Sequence, residues 1–358
     1  MSDDSSEEDE GWPSDSEPLE LLSEDSVAVI VCFRDLHKGQ NRQKHLEQFV
    51  PYMELFFKKA LKDKLCAEYK IYIIEQSADS RKFNRGKLLN IGFKIAKKHN
   101  HNIFIFHDVD LLPSPELIPW YCTEPDAKPI HIARVWDRYS KNENYIGGIT
   151  SFSEKQFESI NGYPNNYWGW GGEDDEILER LKEVNKVGFV VTKGKEKGLR
   201  GATMADIVAQ MKAMDITEGE IAKIKNDIKV AEFKLTAPDI FSASIKDLED
   251  MTLDEKLQVL RDNVEWKNQY KKELNNEQRE QFKMKKKTLR TWQTNGLMMK
   301  GASAGIKSIE KSYKILSINN IGDDEHVFKF TVDIGLNGDK WDKTAPVGYI
   351  ANYRGKGP

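Results

Sequence analysis

The chain is short of cysteine, of net charge and of long apolar runs. Only Cys32, Cys66 and Cys122 occur in 358 residues, too few for a disulfide framework and without the paired spacing of a zinc site, so a reducing compartment is expected. The net charge of −4 gives no field that recruits nucleic acid by counterion release, which argues against a nucleic-acid partner. No apolar run approaches the ~20 residues of a membrane-spanning helix, and the N-terminus lacks the basic-then-apolar order of a secretion signal. Neither an anchor nor a signal peptide is therefore expected, and the protein should be cytoplasmic or otherwise soluble. Hydrophobic residues at 39% and charged residues at 31% fit a globular protein with long solvated helices. The length fits one large domain or one domain with an insertion, and the second is expected.

Residues 1–26 are too acidic and too poor in apolar side chains to offset the entropy of ordering, and are read as a disordered tail. From Val27, apolar runs alternate with helical spacing: Val27 to Cys32, Leu46 to Leu61, Tyr69 to Glu75, Lys87 to Lys98 and Ile103 to Phe106. This alternation predicts an α/β fold with a parallel or mostly parallel sheet covered by helices, whose ligands lie beyond the carboxyl ends of the strands. Between 194 and 290 charge becomes dense, and Ile207, Val208, Met211 and Met214, then Leu253, Leu257 and Leu260, recur at helical spacing. These residues predict a helical insertion. Strand patterns return at Tyr313 to Ile318 and His326 to Ile334, so residues 291–358 are expected to close on a catalytic core of residues 27–193.

Three segments carry chemistry. In His107-Asp108-Val109-Asp110-Leu111, strand alternation would put Asp108 and Asp110 on one side of the backbone. Two such carboxylates repel unless a cation or donor lies between them, and a divalent metal bridging to a diphosphate suits them; a loop of solvated acids reads the same way. The stretch Tyr167-Trp168-Gly169-Trp170-Gly171-Gly172-Glu173-Asp174-Asp175-Glu176 is more specific. Its glycines allow unusual backbone and close ligand approach, and its acids lead into Ile177, Leu178, Leu181 and Val184, placing them at a helix N-terminus. Aromatic faces beside carboxylates suit a sugar, with helix capping and core packing as the plainer account. The third segment, Phe83 to Phe93, opens a helix with basic side chains that meet a phosphate or form a solvated turn.

Together these residues resemble the beta-1,4-galactosyltransferase family. The matching blocks are Cys32-Phe33-Arg34, Phe83 to Phe93, Phe106 to Pro113, Tyr145-Ile146-Gly147-Gly148 and Asn161 to Glu176, in the family's order across residues 27–192, with weaker echoes at Gln281-Phe282-Lys283 and Thr331 to Gly335. The resemblance implies a GT-A fold with a Rossmann-like central sheet, a UDP-sugar donor, UDP-galactose above all, and inversion at the anomeric carbon. It implies that Phe33, Arg34, Phe83 and Arg85 hold the uridine and diphosphate. Asp108 and Val109 would face the donor, and Asp110 would ligate a divalent metal, expected to be Mn2+. Trp170 would separate donor from acceptor, and Gly172, Glu173 and Asp174 would line the acceptor site. Asp174 would be the catalytic base, and Tyr145 marks the position at which tyrosine goes with UDP-galactose.

The chain departs from the family in two ways. The remaining metal ligands, a histidine with a Met or His partner, have no visible counterpart, since the only histidine after His131 is His326. The family's anchor and luminal disulfides are also missing. The acceptor stays open, because Glu173 to Glu176 and Glu280 to Lys283 resemble the branch acting on xylose, whereas Asn165-Asn166-Tyr167 and Gly171-Gly172 resemble the branch acting on N-acetylglucosamine. The alternatives are an N-acetylgalactosaminyl- or other hexosyltransferase on the same fold, or an inactive sugar-binding relic.

Overall fold

The computed structural model describes residues 23–35, 42–79, 81–140, 145–169, 171–184, 190–191, 204–214, 217–219, 221, 291–300 and 306–334. The acidic stretch 1–22, Leu253, Leu257 and Leu260, and most of the expected helical insertion lie outside these residues. In chain order the elements are β1 (Ser26–Phe33), α1 (Arg42–Lys62), β2 (Glu68–Gln76), α2 (Arg85–Ala96), β3 (Ile103–His107), α3 (Ile118–Tyr121), β4 (Ile130–His131), α4 (Asp137–Ser140) and β5 (Ile149–Ser153). They continue with α5 (Glu154–Ser159), α6 (Glu173–Glu183), β6 (Val190–Val191), α7 (Met204–Ala213), β7 (Met298–Lys300), β8 (Ile306–Ser308), β9 (Lys314–Asn320) and β10 (Val327–Asp333).

Eight strands form one sheet in the order β6-β4-β5-β3-β1-β2-β10-β9, and β7 pairs with β8 apart from it. The centre is parallel as expected: β1 pairs with β2 and β3, and β10 with β2. The flanks correct the expectation of a mostly parallel sheet, because β5 runs antiparallel to β3 and β4, and β9 antiparallel to β10. Ile149–Ser153 is fully buried although its sequence, Ile-Thr-Ser-Phe-Ser, mixes apolar and hydroxylic side chains, and such a pattern does not announce strand direction.

Buried on both faces, β1 feeds two cores. Val27, Val29 and Val31 turn to the side covered by α1 and α3, while Ala28, Ile30 and Cys32 turn to the side covered by α2, α5 and α6. Helix α1 buries Leu46, Phe49, Val50, Met53, Phe56, Phe57 and Ala60, a stripe at helical spacing. Each of these side chains larger than Ala60 contributes roughly 1.5–3 kcal/mol before the entropy of ordering it. The stripe tolerates Pro51 in mid-helix, which costs α1 one backbone hydrogen bond. A Cβ at Gly92 would strike Ile30 and lie 2.9 Å from Ile74 Cγ1, so glycine there lets α2 approach the sheet. From the region expected to be helical, α7 is present, and Met211 and Met214 bury against the α1 core.

Candidate active site

The carboxyl ends of β1 and β3 point to one region, and three connections deliver charged side chains there. After β3 the chain leaves extended geometry at once: Asp108 to Asp110 form a turn in which Leu111 N–H donates to the Asp108 carbonyl at 3.3 Å. Strand alternation therefore does not set the two acids, as the sequence pattern suggested. The turn lets each meet its own arginine, Asp108 with Arg85 and Asp110 with Arg42. Helix α2 opens at Asn84, whose side-chain oxygen accepts from Lys87 N–H at 2.9 Å while its amide donates to the Asn165 carbonyl at 2.8 Å. The cap fixes Arg85 as the first helical residue.

Helix α6 starts after Gly172, whose φ is +94° and where a Cβ would lie 2.5 Å from the Tyr167 ring. Only glycine meets both conditions cheaply. No side chain caps this helix, and its first turn is Glu173, Asp174, Asp175 and Glu176. The free N–H groups and the dipole of the helix favour these negative charges.

Arg85 joins the three segments. Its Nη1 donates to Asp174 Oδ1 at 2.7 Å and reaches Glu173 Oε1 at 3.5 Å, while Nη2 and Nε donate to Asp108 Oδ1 at 2.9 and 3.2 Å. The guanidinium carbon lies 5.8 Å from the centre of the Tyr163 ring. Tyr145 OH donates to Asp174 Oδ2 at 3.4 Å, and its ring stacks on Tyr139 at 5.3 Å between centroids. A Cβ at Gly147 would collide with both Tyr145 OH and Asp174 Oδ2, so that glycine keeps the space in front of the carboxylate open.

Burial alone would lower the Arg85 pKa, but Asp108 and Asp174 outweigh it and raise it well above the ordinary range, so the cation is permanent. Burial raises Asp174, which Arg85 partly offsets. Burial and then Asp174 raise Glu173. A carboxylate raised from its ordinary range is a better proton acceptor near neutral pH. Burial pushes the Cys32 thiol up to about 12, which removes it as a nucleophile near neutral pH.

The sequence-derived residues divide into groups. Arg85, Asp108, Tyr145, Glu173 and Asp174 converge, with Gly172 framing the helix that carries two of them. Asp110 stands apart in an ion pair with Arg42 at 2.7 Å. Arg34 pairs with Asp79 at 3.2 Å and donates to the Arg81 carbonyl at 3.0 Å. Phe83 is partly buried, and its carbonyl accepts from Gly169 N–H at 2.8 Å. Phe33 is only 2% exposed and Val109 5%, both within the core on the α1 side. Their side chains pack inside the protein and make none of the contacts that bind Arg85 to its carboxylate partners, so neither side chain joins that cluster. Trp170 lies outside the described residues.

Sequence reasoning missed Arg42, Asp79 and the roles of Tyr163 and of a set of buried asparagines. Arg42 sits at the start of a helix that follows the first strand, the same signal that drew notice to Arg85. The asparagines Asn84, Asn90, Asn161, Asn165, Asn166 and Asn295 are buried, and nothing in an isolated asparagine distinguishes a buried amide from a turn residue.

The family model described as "N-terminal domain of galactosyltransferase" matches residues 127–198, and that described as "N-terminal region of glycosyl transferase group 7" matches residues 9–123. Beta-1,4-galactosyltransferase 1 of Bos taurus is 42% identical over 168 residues, 46% of this chain and 38% of that one. Over a little under half of its length the chain is similar to the beta-1,4-galactosyltransferases. Human beta-1,4-galactosyltransferase 4 is 40% identical over 167 residues, 46% of this chain and 45% of that one. The chain thus spans about two-fifths of the length of the curated beta-1,4-galactosyltransferases it matches.

Among solved structures, the catalytic domain of Drosophila beta1,4-galactosyltransferase 7 in complex with xylobiose aligns with a TM-score of 0.52 at 23% identity, covering 89% of this chain and 98% of that one. A mutant of that enzyme in complex with manganese, UDP-Gal and xylobiose aligns with a TM-score of 0.50 at 21% identity. The fold is α/β of the GT-A type. Among the described residues no helix is long and apolar enough to cross a membrane.

Proposed function

We propose that this chain is an inverting glycosyltransferase that moves galactose from UDP-galactose to a sugar hydroxyl. The observation that carries the reading is the bridge Arg85 makes between Asp108, on the turn after β3, and Asp174 with Glu173, at the head of α6. That bridge joins the acidic turn expected to face a nucleotide-sugar to the helix head expected to face an acceptor, across a gap framed by glycine and tyrosine. The matches to the two glycosyltransferase family models over residues 9–123 and 127–198, and to beta-1,4-galactosyltransferase 1 of Bos taurus over 168 residues, support the same assignment.

In this reading Asp174 accepts the proton of the acceptor hydroxyl as its oxygen attacks the sugar carbon opposite the leaving UDP. Tyr145, donating to the other oxygen of Asp174, orients that carboxylate and borders the sugar. Glu173 receives an acceptor hydroxyl. Arg85, Arg34 and Arg42 exchange their present carboxylate partners for the diphosphate as its charge grows, the main electrostatic demand of an oxocarbenium-like transition state. Fixing both sugars in line lowers the barrier further.

Asp110 is the residue that would hold a divalent cation, manganese by analogy with the Drosophila complex. Its hard carboxylate oxygens suit such an ion, and the carboxylate already takes a cation, the Arg42 guanidinium. Bound there, the ion would neutralise charge on the leaving diphosphate. Among the described residues no group of three or more His, Cys, Asp and Glu side chains gathers as a metal site, so Asp110 is the one ligand assigned. The acceptor is N-acetylglucosamine or xylose. Three free, buried cysteines fit a cytoplasmic or other reducing setting.

The test is a donor and acceptor matrix with purified protein: UDP-galactose, UDP-N-acetylgalactosamine and UDP-glucose against N-acetylglucosamine and xyloside acceptors, with manganese present. Transfer from UDP-galactose to one of the two acceptors is expected. Preference for UDP-N-acetylgalactosamine would overturn the donor assignment, and no transfer from any donor would overturn the transferase reading.

A further inference from the structure

One buried ion pair near the site takes no part in the chemistry just described. Glu176 and Arg180, one turn apart on α6, are both 0% exposed, and Glu176 Oε1 accepts from Arg180 Nη2 at 2.7 Å and Nε at 3.1 Å. The guanidinium spends its other donors on backbone. Nη1 donates to the Gly162 carbonyl at 2.7 Å and more weakly to those of Asn161 and Ile160, at 3.3 and 3.4 Å, and Nη2 donates to the Asn295 carbonyl at 2.7 Å. A buried ion pair is weak evidence of stabilisation, because desolvation consumes most of what it gains. A fork that spans two distant loops has a geometric effect that an apolar pair would not reproduce.

The loops it holds lead back to Arg85. Asn295 donates to Asn166 Oδ1 at 2.8 Å and accepts from Asn165 N–H at 3.1 Å. Asn165 accepts from the side chain of Asn90 on α2 at 3.0 Å, and its carbonyl accepts from Asn84, the cap that sets Arg85. At Gly296 a Cβ would strike the Asn161 carbonyl and lie 3.1 Å from Arg180 Nη1, so the segment is packed against the fork. Asp174 lies roughly 9 Å from Arg180 along the axis of the same helix. A tilt of α6 about this anchor moves Asp174 relative to Arg85 and Asp108.

From these contacts we infer that Arg180, oriented by Glu176, is the positioning residue for Asp174: by fastening α6 to the 160–162 turn and to Asn295, it sets where the helix head meets Arg85. It touches neither donor nor acceptor. The inference rests on the transferase reading, and the experiment keeps the two apart.

Arg180→Lys retains a positive charge for Glu176 but cannot serve the Glu176 carboxylate and both loops at once. With folded variant, the expected result is a kcat lower by on the order of 100-fold, the effect of a displacement of about 1 Å, with the UDP-galactose dissociation constant within about twofold of wild type on the same scale of reasoning. A purely charge-compensating role would leave kcat unchanged, which would overturn the inference, as would equal losses in kcat and donor affinity. Should Arg180→Lys fail to fold, Glu176→Gln decides: the shape and an acceptor remain, the charge that orients the guanidinium is gone, and the same split between kcat and donor affinity is expected. Unchanged kcat in that variant overturns the inference. Wild-type protein that transfers no sugar overturns the transferase reading and this inference with it, whereas active wild type with an unaffected variant overturns this inference alone.

Discussion

Asp174 sits in a balance of opposed effects. Burial favours its neutral form and Arg85, at 2.7 Å, favours the charged one, with burial prevailing so that the pKa is raised. In the proposed mechanism transfer needs the carboxylate ionised, so the acidic limb of kcat/KM moves in the same direction as the pKa. A pH–rate profile should therefore show activity falling through a pKa above the ordinary aspartate value of about 3.9. A limb at or below that value would contradict the assignment. Arg85 bears on the same limb: a variant lacking the guanidinium removes a lowering influence and should move it higher still.

At the scale of single elements, the site depends on how each helix begins. Asn84 caps α2, donates to the Asn165 carbonyl and is 0% exposed. Asn84→Ala removes the cap and leaves a buried carbonyl short of a donor, which should cost roughly 2 kcal/mol. Urea unfolding reads that loss, and because α2 carries Arg85, turnover should fall as well. A stability change under about 0.5 kcal/mol, the ordinary range of surface substitutions, would contradict the role given to the cap.

Element by element, the central fold was legible. The run Val27 to Cys32 became β1 and Leu46 to Leu61 became all but the two ends of α1, because continuous apolar runs and helical stripes are direct records of burial. Lys87 to Lys98 was displaced by two residues from α2, since the start is set by Asn84 and the end by Asn100, which adopts left-handed geometry after a 3-10 turn. Less legible was the site's wiring. Asp108, Glu173 and Asp174 stood out through composition, but their meeting at Arg85 is a tertiary fact, and strand alternation misplaced the Asp108–Asp110 turn. Strand direction for β5 and β9 was also silent, because pairing direction is fixed by long-range contacts and not by periodicity.

The molecule as a whole carries a pH dependence separate from catalysis. Burial lowers His101, His107 and His131 to about 4, against an unfolded value near 6.5. Between those values the unfolded chain binds more protons than the folded one, so the stability these neutral rings share in is complete above pH 6.5 and is lost as pH falls toward 4. The histidine contribution to stability should decline across that window, while Glu173 and Asp174, raised by burial, bind protons in the folded state and act with the opposite sign. The rings are therefore read directly by NMR: the three imidazoles of the folded protein should stay neutral down to about pH 4, and titration near 6.5 would show that they are not held neutral.

In the proposed mechanism a carboxylate at the head of α6 acts on an acceptor beside a nucleotide-sugar held at the strand ends. Its most direct test is Asp174→Asn, with galactose transfer and UDP-galactose binding measured on the same preparation. The substitution keeps the shape and removes the basic oxygen. Turnover should fall by about 10²–10⁴, the range for loss of a general base, while the donor dissociation constant stays close to wild type. Wild-type turnover in Asp174→Asn would show that Asp174 is not the base.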